Sequence, residues 1–190
     1  MREFVYYSPG ARTSGNWKDL KKAGRMDIVC NVIIQSLFVS NKLREGIHLH
    51  LVFEGQPNPP MHLELFSDSK LPISKKDVAG LIKRMLYKCN ENKRKEIFPG
   101  CFIEKKSFHK VLDEAQNRGR EVYILDKKGK KLRDMGDEEL QNAIFVIGDH
   151  EGLPKKMVKR FKNKISLGNE VYFASQTFIL IQYEFDIRGL

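Results

Sequence analysis

Apolar residues recur along this chain in two periods, and the alternation between the two predicts its architecture. Residues 25–41 (RMDIVCNVIIQSLFVSN) set Met26, Val29, Ile33 and Leu37 three and four apart, which predicts a helix with one buried face. Asp27 falls in its first turn, where a carboxylate meets the positive end of the helix dipole. Residues 74–90 repeat the pattern with Val78, Leu81, Ile82, Met85, Leu86 and Cys89 as the inner stripe and Lys83, Arg84 and Lys88 outside. Ser74 and Asp77 look like a capping box for that helix.

Strand signals lie between these helices. Residues 2–7 (REFVYY) are rich in β-formers, and residues 47–53 (IHLHLVF) and 61–66 (MHLELF) alternate histidines with aliphatic side chains. The alternation predicts neighbouring strands with one wet face carrying His48, His50 and His62. A short strand near 101–104, a helix from a Ser107 cap to Arg118, a strand at 121–125, a basic turn at 127–131 (KKGKK) and a brief helix at 137–142 follow. Two apolar runs, 143–147 and 165–167, each end at a glycine and flank a helix that starts at Pro154 and carries the basic run 155–164. Strands and helices alternating in this way predict an α/β fold with a mostly parallel sheet. Strands that end in glycine loops are where such sheets place ligands. Two such loops point to one pocket; ordinary tight turns would leave the same trace. The last segment, 171–187, is apolar nearly all round, so it either threads through the fold or packs on a second subunit.

Length and composition narrow the class. A chain of 190 residues with 41% hydrophobic composition supports one substantial core and is expected to form a single domain over 1–190. No apolar run reaches the ~18 residues a membrane helix needs, and no charged-then-apolar leader is visible. A soluble, intracellular protein is expected. Cys30, Cys89 and Cys101 are odd in number and lack metal or disulfide spacing. The three strand histidines have no cysteine or carboxylate at ligand spacing, so solvent-facing positions outweigh a metal cluster. Lys and Arg number 34 against 24 for Asp and Glu, a net +10, clustered at 18–25, 93–95, 127–133 and 155–164. A polyanion such as RNA suits that field; a charged surface without a ligand is the plainer alternative.

The loop at 8–17 (SPGARTSGNW) surrounds its one charge, Arg12, with Ser8, Thr13, Ser14 and Asn16, a cluster able to read phosphate or simply to bond itself. At this point four motifs carry a resemblance over the full length. The opening MREFVYYSPGARTSGNW, the helix start GRMDIV, the loop FVIGDHEGLP and SLGNEV before the apolar end resemble the archaeal tRNA (pseudouridine-54) N1-methyltransferases, the TrmY family of the SPOUT superfamily. The resemblance implies a SPOUT-type α/β fold with a C-terminal trefoil knot, a homodimer, tRNA as partner, a cytoplasmic setting and no metal. It also implies S-adenosylmethionine bound in a bent shape among three loops: at Leu125, at Gly148, and at Leu167, Gly168, Asn169, Glu170, Val171 and Tyr172. Thr177 stands where the family usually has a cysteine near the cofactor, and a small polar side chain fits there too. Methyl transfer from a sulfonium needs the nitrogen held in line and its proton removed. Asp27 and Asp149 are the candidate carboxylates, although Asp27 could equally pair with Arg25 and Asp149 could merely hold its loop. Arg12 and Arg25 are the candidates for gripping phosphate. Methylation of pseudouridine in ribosomal RNA and a catalytically silent RNA-binding module remain open on the sequence alone.

Overall fold

A computed structural model of the chain describes residues 1–67, 70–89 and 93–190. In chain order its elements are β1 (Arg2–Ser8), α1 (Met26–Leu37), β2 (Phe38–Val39), β3 (Lys42–Leu43), β4 (Ile47–Phe53), β5 (Met61–Phe66), α2 (Val78–Tyr87), β6 (Lys95–Phe98) and β7 (Cys101–Glu104). Then come α3 (Phe108–Asn117), β8 (Glu121–Lys131), a 3-10 turn (Leu132–Asp134), α4 (Asp137–Asn142), β9 (Ala143–Gly148), α5 (Lys155–Arg160), β10 (Lys164–Ser166) and α6 (Ala174–Arg188). Among the described residues, eight of these strands form one sheet in the order β10-β8-β9-β1-β4-β5-β7-β6. The half from β10 to β4 is parallel, and β5, β7 and β6 continue it as antiparallel neighbours.

Helices cover the two faces unequally. Phe4, Tyr6, Leu49, Leu51, Leu63 and Phe145 point to the face on which α1, α2 and α6 lay Val29, Ile33, Leu81, Ile82, Phe178 and Ile181. Val5, Tyr7, Val52, Ile144 and Val146 point to the other, which α3 covers with Phe108, Val111, Leu112 and Ala115. A fully buried side chain of this size contributes roughly 1.5–3 kcal/mol, so both layers weigh in the balance. The helix and strand spans read from periodicity hold for β1, β4, β5, α3, α4 and β9.

Several expectations are corrected by the three-dimensional arrangement. Helix α1 stops at Leu37 because residues 38–43 turn into the β2–β3 hairpin, with Asn41 at φ 65°. Asp77 is the residue before α2 rather than the third position of a box; it makes no side-chain cap bond, and its carboxylate instead accepts from Arg84 Nη1 at 3.0 Å. Helix α2 ends at Tyr87, and residue 90, where the pattern placed its end, lies outside the described residues. The strand at 95–98 was not visible in the pattern, because KEIF is short and polar at its start. The stretch 127–131 is not a turn but the second half of β8, whose Lys130 and Lys131 pair with Ile165 and Ser166 of β10 after a shift of register. Gly129 is there for close approach: a Cβ would lie 2.5 Å from the Lys164 carbonyl carbon. Residues 171–173 precede α6 instead of beginning it.

The histidine face also differs from expectation. His48, His50 and His62 do alternate against the leucines, but they are buried, with His62 only 1% exposed. Among the described residues, α3 borders them only with Val111 and Glu114. Long charged side chains close over the face instead: Arg94 bonds Glu64 at 2.9 Å while lying 3.7 Å over the Phe102 ring, Lys106 bridges Glu104 and Glu114, and Arg118 pairs with Glu3. Cys30 and Cys101 are buried and Cys89 partly so. No helix among the described residues is long and apolar enough to cross a membrane.

Candidate active site

The carboxyl ends of β8, β9 and β10 meet the start of α6 around a cleft of about 290 Å³. The doubly-wound rule places ligands at such strand ends. Leu125 closes the first wall, Val146, Ile147 and Gly148 the second, and Ile165, Ser166, Leu167 and Gly168 the third. Glu170, Val171, Tyr172 and Thr177 border it from the approach to α6. Eight of the nine residues expected to surround a cofactor therefore share one cavity; Asn169 is exposed and does not line it. Residues not foreseen add an acidic and a basic group, Asp126 and Lys127, together with Gly152, Leu153 and Val158 from the loop and helix after β9. Both belong to β8, which runs on to Lys131, beyond the strand that periodicity predicts at 121–125.

Two loops are shaped by their own backbone bonds. Gly168 adopts φ 126°, and its N–H donates to Ser166 Oγ at 3.1 Å. At Gly148 a Cβ would lie 2.6 Å from the Gly152 carbonyl carbon, so the glycine makes room for the loop's return. Asp149, the next residue, is buried and borders the cleft. Its carboxylate accepts from Ser8 Oγ at 2.7 Å and from the Glu151 N–H at 2.8 Å, and its own N–H donates to the Tyr7 carbonyl at 3.0 Å. Ser8, at the end of β1, is thereby committed to Asp149. Thr13 is likewise committed, donating to the Gly55 carbonyl at 2.8 Å and accepting from the Asn58 N–H at 2.7 Å.

The RMD turn flanks this side. Arg25 sits at φ 60°, an uncommon conformation for a side chain of its size, and binds Asp27 through two bonds of 3.0 and 2.9 Å. The Arg25 bonds hold the Asp27 carboxyl below the usual range, outweighing its partial burial. Asp27 is therefore a poor proton acceptor and a good partner for Arg25. Burial pushes the Tyr6 hydroxyl far up, with Asp149 and then Asp27 adding to it, which puts both carboxylates in one electrostatic neighbourhood. Arg12 and Arg25 do not line the cleft. Arg12 carries a buried Nε without a hydrogen-bond partner among the described residues.

The cleft suits an adenosyl sulfonium. Leu125, Val146, Ile147, Ile165 and Leu167 offer apolar surface to a purine, strand-end backbone is at hand for its polar edge, and Asp126, Asp149 and Glu170 suit positive charge. Exposed Lys127 and Lys128 from β8 and Lys155, Lys156 and Lys159 from α5 stand on the elements that frame its mouth.

A family described as SAM-dependent RNA methyltransferases matches residues 1–190. A tRNA (pseudouridine(54)-N(1))-methyltransferase of Methanococcoides burtonii is 33% identical over 98% of this chain and 96% of its own. The protein of that name from Methanocaldococcus jannaschii is 30% identical over 87% and 84%. Among solved structures, the SpoU methyltransferase AviRb from Streptomyces viridochromogenes, in complex with AdoMet, superposes with a TM-score of 0.53 at 11% identity, over 99% of this chain and 58% of that one. The structural likeness speaks for the SPOUT fold, and the sequence match runs from the first residue to the last. The chain belongs to the family of SAM-dependent RNA methyltransferases.

Proposed function

We propose that the protein transfers a methyl group from S-adenosylmethionine to N1 of pseudouridine 54 in tRNA. The observation that carries this reading is the likeness to proteins named for that reaction, over nearly the full length in one case, joined to a cleft of fitting chemistry at the strand ends. S-adenosylmethionine, when bound, supplies an electrophilic methyl group. Leu125, Gly148, Leu167, Gly168, Glu170, Val171, Tyr172 and Thr177 form its proposed site. Asp149 is the proposed acceptor of the N1 proton: it is a carboxylate in the cleft wall, aimed by Ser8 and by the Glu151 N–H. Asp27 is assigned a positioning role, holding the strained Arg25 so that its guanidinium can meet a phosphate. Arg12, with its unmet Nε, is the second proposed phosphate ligand, and the lysines of β8 and α5 draw the polyanion in.

A homodimer, knotted through its C-terminal loops, belongs to the same reading. Ile179, Tyr183 and Ile187 are exposed at four-residue spacing along α6, and Val171 and Phe173 just before it are 81% and 77% exposed. Such a strip beside the cleft fits a second copy of this chain better than water. The substrate assignment is tested by offering labelled S-adenosylmethionine with total tRNA and ribosomal RNA side by side. Label confined to tRNA is the expected result, and label on ribosomal RNA alone overturns it.

A further inference from the structure

The buried histidines lie at the other end of the sheet from the cleft, and the methyl-transfer reading leaves them unused. Glu3 on β1 is paired in register with His48 on β4, and His50 on β4 with Glu64 on β5. All of them, with His62, point to one face. His50 Nε2 lies 3.1 Å from Glu3 Oε1, His50 Nδ1 lies 2.8 Å from His62 Nε2, and His62 Nδ1 lies 3.1 Å from Glu104 Oε1.

The chemistry of that row is constrained. An ionised carboxylate only accepts, so each ring must present an N–H to its own glutamate. The other two nitrogens, His50 Nδ1 and His62 Nε2, face each other at 2.8 Å, and with each ring's one N–H turned to its glutamate both can offer a lone pair to a positive centre between them. One ligand atom each from His50, His62 and Glu64 lies within 4.8 Å of the others, and so does one each from Glu3, His48 and His50. Above them is a cavity of about 380 Å³.

We propose that His50, His62 and Glu64 hold a divalent transition-metal ion, zinc being the best match to two imidazoles and one carboxylate. Glu3 and Glu104 hold the rings in the ligating tautomer, as carboxylates behind metal-bound histidines do. Zinc–nitrogen bonds of ~2.0–2.1 Å at a tetrahedral angle need nitrogens roughly 3.3 Å apart, so the 2.8 Å contact opens by about 0.5 Å on loading. Glu64 has ~four accepting positions; Arg94 takes two and His48 one. Arg94 is 41% exposed and can turn outward. The cavity leaves room for a water or a small anion as fourth ligand. The ion would tie β4 to β5.

The test is titration of cobalt(II) chloride alone into chelator-stripped full-length protein, read by visible d–d absorption and by displacement with zinc. One cobalt per chain is expected, with affinity falling at least about 100-fold in both His50→Asn and Glu64→Gln and ~10–100-fold in Glu104→Gln. Zinc is also expected to raise the thermal midpoint of the parent and of none of the ligand variants. If His50→Asn fails to fold, the near-isosteric Glu64→Gln and the parent's thermal shift decide. No binding by the parent overturns the proposal, and so does equal binding by parent and variants, which the exposed His109 and His150 would produce.

Discussion

At the residue scale, the candidate site turns on which carboxylate is free to act. Asp27 and Asp149 were indistinguishable in the sequence, since each lies in a motif beside a plausible partner. Three-dimensional placement separates them. Both carboxylates accept on both oxygens, but Asp27 is held by the charged Arg25 and does not line the cleft, whereas Asp149 lines it and accepts only from a neutral hydroxyl and an amide. Replacing Asp149 by Asn is expected to lower kcat by ~10²–10⁴, the usual contribution of a positioned acid or base, with tRNA affinity unchanged in a filter-binding assay. Loss of tRNA affinity with kcat intact would move Asp149 out of the proton-accepting role. Gly148 was legible as a special position, but the return of Gly152 against it was not, because that is a contact between residues whose spacing carries no pattern. Gly148→Ala is expected to weaken S-adenosylmethionine binding by at least about tenfold, ~1.4 kcal/mol, by displacing the loop; calorimetric titration of the variant checks this.

At the element scale, periodicity read well wherever one face of a helix or strand meets a core. It failed where pairing partners decide. The KKGKK stretch carries turn formers, and only the arrival of β10 makes a strand of it. The histidine strands show the other failure: alternation identified the two faces, but cannot say that Arg94, Lys106 and Arg118 from elsewhere will roof one of them. Helix α6 has both kinds of side chain on an apolar background. Phe178 and Ile181 are fully buried in the chain's own core while Ile179 and Tyr183 are exposed. Tyr183→Asp is therefore expected to give a folded monomer by sedimentation, and Phe178→Asp to give no folded protein, since a buried unpaired charge costs several kcal/mol. A Tyr183→Asp variant that remains dimeric would place the interface elsewhere.

The same helix is tied to β1 by Asp186, which accepts from Arg2 and Arg44 at 2.8 Å. Partial burial would raise the Asp186 carboxyl; Arg2 and Arg44 reverse this and hold it below the usual range. The unfolded chain then binds the proton more readily, so the stability from this tie is present above about pH 4 and lost as pH falls through the lower folded value. Thermal midpoints measured from pH 5 to 3 are expected to fall less steeply for Asp186→Asn than for the parent. Equal slopes would remove this carboxylate from the acid response.

At the scale of the whole molecule, the sheet divides the labour. Its parallel half ends in a cleft with a basic rim, and its antiparallel half carries a closed polar face. Class and motifs were legible from the order of elements and from four short stretches of sequence. The insertion of β8 between β9 and β10, which closes the cleft from three sides, was not, since strand order follows from packing and not from sequence order. Exposed lysines on β8 and α5 predict strong salt dependence, with tRNA affinity falling by a slope of roughly −0.7 to −0.9 per neutralised phosphate in a log–log plot. Lys155→Ala and Lys156→Ala together are expected to make that slope shallower by about two.

The central claim concerns the nitrogen that receives the methyl group. In uridine N1 is bonded to the sugar, whereas in pseudouridine the sugar is on carbon and N1 carries a removable proton, so the two bases differ in whether the reaction exists at all. The direct measurement incubates the protein and S-adenosylmethionine with one tRNA transcript in two forms, unmodified and pseudouridylated in the T-loop. Each product is then digested and its nucleosides identified by mass and retention. The account predicts N1-methylpseudouridine from the second form and no methylated nucleoside from the first. A methyl group on unmodified uridine or on a ribose hydroxyl would contradict it.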